Sequence, residues 1–501
     1  MTKTKTKTKK VYDFSMPRVK NQLVRVLKRK KNESTIADLI SASGLPKYQV
    51  EETIKVVSNE YRGHLKVTES GELVYYFPNG MRNQEKGFIP GLKTFFKGFG
   101  AVLKRILTFL FKIWIMVMLV GYFILFLVIL IAAVLATLAI SFSGKGKSRG
   151  SKGGLFYLVI KLFELFARIW FYGQILKGPR TKKKGRPLHQ AVFAFIFGEP
   201  DPNAEWEQEE RKYVISYIQS HKGVVTLEEL MALTGKNTAE ANLLINRYLL
   251  EFEGEPRVTD QGSIYYFFPE LLRTSTSLTT RVSVSLRNPK KKVLVPFNFN
   301  AKKKNGWIAF FNGFNLAFGS YFLYYATSAP NLMMEVIRNK IVIDFALVYR
   351  FLNTFLTDVV ANPPALIALV LGIIPLVFSF FFYFVPFMRN LGRKKGNQEI
   401  KKENLRKKIY TYIHENPMGV DPKGIQAQEE NETPKNGEKF KEKVIKQFVG
   451  EKFGDVEAVA DNVYIYKLPE LQRQKEDIQA FRNSINLSDY AVGETVFDSG
   501  E

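Results

Sequence analysis

The chain of 501 residues contains no cysteine and only four histidines, His64, His189, His221 and His414. The lack of cysteine excludes disulfides, thiolate zinc sites, cysteine-ligated iron–sulfur clusters and cysteine nucleophiles. The histidines stand singly, and none has the spacing of a metal-ligand motif or a catalytic triad. We therefore expect no catalytic residue, no metal and no other cofactor, and interpret the protein as a non-enzyme.

Acidic residues are also scarce, because 47 Asp and Glu oppose 73 Lys and Arg and leave a net charge of +26. Such a basic chain suits nucleic acid or the anionic face of a membrane. Gly146-Lys147-Ser148 matches the end of a phosphate-binding loop, but serine stands at position 141, where that motif needs glycine. We interpret this stretch as a solvated basic loop. No apolar core follows the basic start, so we expect no cleavable signal peptide.

The chain does contain an internal repeat. Residues 35–80 return as residues 226–271, 191 positions later and without a gap. In each copy a Thr-x-x-acid capping box opens a short helix, a glycine closes it, another helix follows, and the apolar period then changes to two. This pattern of helices followed by a two-stranded wing predicts a winged helix, and a weaker third copy runs from about 405 to 471. The wing positions that we single out are the turn glycine, the return-strand tyrosine and the closing proline: Gly71, Tyr75 and Pro78, and Gly262, Tyr266 and Pro269.

Apolar runs lie between the copies. Residues 106–142 contain Lys112 as their only charge and exceed the roughly 20 residues of one membrane span, so they form either a span with an interfacial entry helix or a tight hairpin. Residues 155–176 are amphipathic, and a second crossing there is the alternative to the hairpin. Residues 307–328 and 365–388 are further spans, joined by the electrically neutral segment 329–362.

Basic residues border these runs, and residues 1–105 hold 22 Lys and Arg against 9 Asp and Glu. The positive-inside rule then places segments 1–90, 177–300 and 390–501 on the cytoplasmic or stromal side of an inner or thylakoid-type membrane. We expect the bordering residues to contact the membrane surface: Lys177, Arg180, Lys182, Lys183, Lys184, Arg186, Lys302, Lys303, Lys304, Arg393, Lys394 and Lys395.

Winged helices also raise the hypothesis of DNA binding. A helix that reads the major groove needs Arg, Lys, Asn or Gln on its outer face. The candidate helices at 46–60 and 236–251 are close to neutral, whereas 439–452 is more basic, with Lys439, Lys441, Lys443 and Lys446.

The segment that leads into the second copy carries a distinctive motif. Phe193-x-Phe195-x-Phe197-Gly-Glu-x-Asp-Pro-Asn203 is followed by Trp206 and by the capped helix and wing. Over about 186–271 this resembles a family of poorly characterised membrane proteins of cyanobacteria and plastids. The resemblance extends to 35–142 and not to 390–501. Its motifs are structural, so it implies a fold and a location but no catalytic residues.

The predicted fold class is mixed, an α-helical transmembrane region with three α+β winged-helix-like soluble domains. The predicted function is a membrane protein that presents these domains as a protein-interaction scaffold or regulatory platform. Its partners would be membrane lipid and a protein or a second copy. One alternative is a membrane-tethered DNA-binding regulator, with nucleic acid as partner; another is a transporter or lipid-handling protein, which would need a polar or lipid-sized cavity. The expected segments are a disordered basic tail (1–17), winged-helix-like domains (18–85, 187–275 and 400–471), membrane regions (86–186 and 306–390), a linker (276–305) and an acidic tail (472–501).

Overall fold

A computed structural model shows a mostly helical protein with small antiparallel sheets. Its compact regions form two units, which we call the head unit (1–91, 201–295 and 395–501) and the apolar unit (92–200 and 296–394). The structure describes residues 14–30, 33–78, 80–81, 88–142, 186–275, 284–328, 346–425, 433–460 and 463–500.

The first part of the head unit, which we call head 1 (16–78), has the element order helix, strand, helix, helix, strand, strand. Its sheet is ordered β1–β3–β2, all antiparallel. The elements are α1 (Met16–Arg29), β1 (Glu33–Ser34), α2 (Ile36–Ser43), α3 (Lys47–Tyr61), β2 (His64–Thr68) and β3 (Leu73–Tyr76).

The second part, head 2 (206–275), repeats this order, and its sheet is ordered β4–β6–β5. The elements are α7 (Trp206–Ser220), β4 (Val224–Val225), α8 (Leu227–Thr234), α9 (Thr238–Glu251), β5 (Glu255–Val258) and β6 (Ile264–Phe267). The intervening helices α4 to α6 belong to the apolar unit.

The predicted capping boxes explain where the short helices begin. Thr35 accepts a hydrogen bond from the Asp38 amide and Thr226 from the Glu229 amide, and each acid accepts in return from the backbone of its threonine. A glycine directly follows each of these helices, so local sequence determines both of their boundaries.

Gly44 and Gly235 follow α2 and α8 with φ of 69° and 68°. This left-handed conformation favours glycine and turns the chain sharply into the following helix.

The third part, head 3 (395–468), departs from the repeat. Its first helix is the end of α13 (Ile374–Glu415), followed by a 3₁₀ turn (Pro422–Gly424), α14 (Gly437–Glu451), β7 (Asp455–Ala460) and β8 (Val463–Lys467). Val420 pairs with Tyr466 where heads 1 and 2 have their first strand. In the described part of head 3, the 3₁₀ turn therefore stands where the other heads have a capped second helix.

The C-terminal residues 472–501, expected to be a short helix and an acidic tail, form more structure than that. They contribute to α15 (Pro469–Ser484), a 3₁₀ turn (Leu487–Tyr490) and β9 (Thr495–Asp498). Strand β9 pairs antiparallel with β2 of head 1 and extends that sheet to four strands. We call residues 469–498 the C-terminal strap.

The expected linker 276–305 is divided between the two units, and its part from 284 to 295 is fastened to the head unit. Asn404 accepts from the Lys292 amide at 3.0 Å and donates to the Lys292 carbonyl at 2.9 Å. Asn397 likewise accepts from the Val295 amide and donates to the Val295 carbonyl, both at 2.9 Å. Two asparagines seven residues apart on α13 thus satisfy backbone groups of this extended segment.

In the apolar unit, α4 (Phe88–Met116), a π-helical turn (Val117–Gly121) and α5 (Tyr122–Phe142) form one continuous helix. The hairpin interpretation of 106–142 is therefore wrong. The run contains no proline, and its one glycine, Gly121, is accommodated inside the π turn. The alternative, a second crossing at 155–176, lies outside the described residues.

The rest of the apolar unit consists of α6 (Leu188–Phe197), α10 (Lys302–Thr327), α11 (Leu347–Leu356), α12 (Pro363–Ile367), a π turn (Ala368–Ile373) and the start of α13. Residues 187–200, which we expected in the second winged-helix-like domain, belong to this unit. Among the described residues, two helices are long and apolar enough to cross a membrane, Val102–Ala136 and Pro363–Glu415. Helix α10, expected as a span, is not one of them, and it contains two buried polar residues, Asn312 and Asn315.

Candidate protein-interaction surfaces

Heads 1 and 2 meet where α2 ends. A Cβ at Gly44 would overlap the carbonyl oxygen of Gln208 on α7, so only glycine allows this approach. Gln208 donates its side-chain amide to the Ser43 carbonyl. Nearby, the carboxylate of Glu251 accepts from the amide of Lys47, the first residue of α3, at 3.1 Å. An acid at a helix N-terminus satisfies a free amide and complements the helix dipole.

Heads 2 and 3 meet in the same way. A Cβ at Gly235, which ends α8, would lie 2.5 Å from the carbonyl oxygen of Glu403 on α13. Arg406 donates to the Gly235 carbonyl. The hydroxyl of Thr238, the first residue of α9, donates to the carboxylate of Glu451.

The two contacts use corresponding positions. Gly44 and Gly235 are 191 residues apart, as are Lys47 and Thr238. Glu251 is the last residue of α9 and Glu451 the last of α14. In both junctions the glycine turn of one head receives the first helix of the next, which is a head-to-tail contact rather than a two-fold one.

Packing joins the heads into one body. Buried apolar side chains from all three, such as Leu39, Ile245 and Ile409, belong to a single continuous cluster. An internal ion pair is also repeated, since Lys20–Glu60 in head 1 corresponds to Arg211–Glu251 in head 2. In head 2 the same carboxylate both binds its own arginine and caps the helix of head 1.

A buried lysine lies at the junction of heads 2 and 3. The Lys407 side chain is fully buried, donates to the Lys290 carbonyl at 2.9 Å, and lies over the Trp206 ring at 4.6 Å. Its ammonium is 3.8 Å from Glu210 and 3.6 Å from Glu403. Burial lowers the pKa of Lys407 to about 8, against the effect of these two carboxylates.

The C-terminal strap binds head 2 through a buried ion pair. Arg482 on α15 donates to both carboxylate oxygens of Glu229, at 2.9 and 2.7 Å. Burial raises the pKa of Glu229, but the charge of Arg482 outweighs it and lowers the pKa to about 2. The pair borders a cavity of about 310 Å³ that His221 and His414 also line. Burial lowers the pKa of both histidines, so they are neutral at pH 7.

The strap then reaches head 1. Ser70 donates to the Val492 carbonyl at 2.8 Å, and the Glu69 amide donates to the Glu494 carbonyl at 3.0 Å. Strand β9 covers the outer edge of β2, which contains no proline. The corresponding strand of head 2, β5, contains Pro256, which protects an edge strand against further pairing.

The predicted wing residues lie in or directly after the antiparallel strand pairs β2–β3 and β5–β6. Gly71 and Gly262 occupy the turns, with φ of 78° and 88°. Tyr75 and Tyr266 lie on the return strands β3 and β6 and pair with Ser34 and Val225. Pro78 follows β3 closely, and Pro269 opens the 3₁₀ turn after β6.

The predicted membrane-surface residues divide into several groups. Arg186 forms an ion pair with Glu199 and accepts from Lys304 through its carbonyl, so these two basic residues serve packing within the apolar unit. Arg393 binds Asn390 on its own helix. The remaining described ones, Lys302, Lys303, Lys394 and Lys395, are exposed. Lys177, Arg180, Lys182, Lys183 and Lys184 lie outside the described residues.

Sequence reasoning missed the role of Arg389. Its guanidinium donates to the carbonyls of Phe195, Ile196 and Phe297, at 2.8 to 3.2 Å. A cation at the C-terminal end of α6 satisfies free carbonyls and complements the helix dipole. The only local signal was its place beside the other basic residues, which suggested a surface role instead.

The outer faces of the third helices of the heads differ. On α9 two leucines seven residues apart are exposed, Leu243 to 74% and Leu250 to 87%. On α14 the expected basic face is reduced, because Lys441 is buried and Lys446 forms an ion pair with Glu442 at 2.6 Å. Lys441 is therefore wrongly counted among groove-facing residues. Among the residues that the structure describes, no cluster of His, Asp or Glu could hold a metal ion.

These features define a mostly helical protein with small antiparallel sheets and two helices suited to a membrane. The chain is 24% identical over 396 residues to an uncharacterised chloroplastic protein of Arabidopsis thaliana. The aligned region covers 76% of this chain and 70% of the Arabidopsis protein. No protein-family model matches the chain, and no solved structure matches it. The relative agrees with the plastid part of the resemblance seen in the sequence.

Proposed function

We propose that this is an integral membrane protein whose three winged-helix heads are stacked into one protein-interaction platform. The observation that carries the proposal is the junction that occurs twice, at Gly44 with Gln208 and at Gly235 with Glu403. A contact that is repeated at corresponding positions is typical of repeat proteins, in which each unit packs on its neighbour and a continuous surface results. The C-terminal strap adds a second connection between the heads.

The partner of this platform is a protein, in our proposal, and it binds the outer face of α9. Leu243 and Leu250 form an apolar stripe there, with Asn246 and Arg247 beside them. Apolar anchors with a polar rim are typical of protein interfaces. The rival, a tethered DNA-binding regulator, needs phosphate contacts that this face, with one arginine, supplies poorly.

A photo-crosslinking residue at Leu250 in the full chain tests the platform. We expect a discrete protein adduct that survives nuclease treatment and is weakened when Leu243→Ser is added. The matched control is Asn59, the corresponding position of head 1, where no such adduct should form. Salt-sensitive binding of full-length protein to duplex DNA, with no protein adduct at Leu250, would establish the rival instead.

The membrane part of the proposal places the heads on the cytoplasmic or stromal side. The absence of cysteine makes labelling simple. We expect Asn59→Cys and Ser328→Cys, both exposed, to be labelled from opposite faces of sealed vesicles. Labelling from the same face would contradict this topology.

A further inference from the structure

Helix α4 carries five basic residues and no acidic one, and three of the five, Lys104, Arg105 and Lys112, lie in its second half. Together with Thr108 they line a pocket of about 360 Å³ whose other wall is the start of α6, at His189. Within the described part of the chain, none of the three forms an ion pair. The pocket is therefore strongly positive and attracts an anion.

A second pocket of about 410 Å³ adjoins the next turns of the same helix. Every residue that lines it is apolar, including Trp114 on α4, Phe197 on α6 and Val377 on α13. Trp114 is 52% and Phe197 43% exposed, so the groove opens to the surroundings. Its size and composition suit an acyl chain rather than a polar ligand.

Both pockets are lined by α4 and α6. At the basic end the rings of Phe109 and His189 lie 5.7 Å apart, and at the apolar end those of Phe111 and Phe197 lie 6.1 Å apart. Phe197 follows His189 by eight positions, which is about 12 Å along the helix. A positive pocket followed at this distance by an apolar groove has the polarity and length of a lipid headgroup and its upper acyl chain.

We propose that this site binds one anionic lipid, with its phosphate at Lys104, Arg105 and Lys112 and an acyl chain beside Trp114 and Phe197. The inference rests on the proposed membrane location. Basic pockets between membrane helices recognise anionic headgroups in this way, through charge that neutral lipids cannot match. The site gives the lipid-handling alternative a concrete form without a transport path.

The test uses the full-length protein in detergent micelles and native mass spectrometry. The probe is phosphatidylglycerol, compared with phosphatidylcholine that carries the same acyl chains. We expect at least about tenfold preference for phosphatidylglycerol. The variant Lys104→Gln/Arg105→Gln/Lys112→Gln should lose this preference, and Val377→Trp, which fills the groove, should weaken binding of both lipids. The control Lys302→Gln/Lys303→Gln removes exposed charge from the same unit and should change neither.

Two outcomes would overturn the proposal. One is equal binding of the two lipids, or a preference that survives the triple variant. The other is that glycerol phosphate, a headgroup without chains, competes as well as the lipid, which would make the site one for a soluble anion. A failure of the membrane proposal itself is recognised separately, because the protein would then leave the membrane fraction at alkaline pH.

Discussion

Replacing Gly235 by alanine should loosen the junction between heads 2 and 3. Two costs arise. Alanine pays roughly 1–2 kcal/mol for the left-handed conformation at φ 68°. Its Cβ would also lie 2.5 Å from the Glu403 carbonyl oxygen and 2.8 Å from the Lys407 side chain, and overpacking of this kind costs about 1–3 kcal/mol.

Gly262 provides the matched control. Its φ is 88°, so Gly262→Ala has a similar conformational free-energy cost, but nothing lies within 4 Å of the added Cβ. The difference between the two variants isolates the overlap with α13. At about 1.4 kcal/mol per factor of ten, it corresponds to a roughly 5- to 150-fold larger population of the open junction.

Hydrogen exchange of the full-length protein measures this population, since local opening exposes the amides of the elements that separate. We expect faster exchange in α8 and in the part of α13 around Glu403 for Gly235→Ala, and near-native exchange there for Gly262→Ala. Gly44→Ala and Gly71→Ala repeat the comparison in head 1. If the members of each pair behave alike, the glycines serve only backbone conformation and the reasoning about a docking contact fails.

Three further predictions concern charge. Glu229 has a folded pKa of about 2 against an ordinary 4.5, so its stabilising effect is present above pH 4.5 and is lost as pH falls towards 2. The variant Arg482→Met removes the partner of this carboxylate and should lower the free energy of unfolding by about 3–5 kcal/mol. It should also move the midpoint of acid unfolding to higher pH. Lys407 has a folded pKa of about 8 against an ordinary 10.5, so between these values the unfolded state binds more protons and the free energy of unfolding rises with pH. The variant Lys407→Met should flatten this rise when denaturation is measured from pH 7 to 10.5. Full-length protein should not retard duplex DNA at physiological salt in a mobility-shift assay, because Lys441 is buried and Lys446 is paired.

Sequence reasoning succeeded where the signal is local. The capping boxes at Thr35 and Thr226 involve residues three positions apart, and Gly44 and Gly235 follow directly at the ends of the same helices. It failed at 106–142, because length alone cannot distinguish a hairpin from a long helix. The decisive feature there, the π turn around Gly121, leaves no pattern in composition.

The surfaces were harder to predict, because they join residues far apart in the chain. The pair Arg482–Glu229 spans 253 residues, and the contact of Leu65 with Ser499 spans 434. Nothing near Arg482 indicates its partner. The repeat spacing of 191 did hold the signal for the junctions, since an unusual glycine recurring at the same position can mark a close approach of backbone as well as a turn.

The stack of heads has a structural reason to end at head 3. In heads 1 and 2 the glycine turn after the second helix receives the next head. In the described part of head 3 the 3₁₀ turn takes that place, and Gly424 packs against Tyr412, so closely that a Cβ would overlap its hydroxyl. The helix that contacts this turn is thus head 3's own, and the turn cannot receive another first helix. Terminal units of repeat proteins are altered in this manner so that stacking stops. The chain instead continues as the C-terminal strap, which contacts head 2 through Arg482 and pairs with β2 of head 1 through β9.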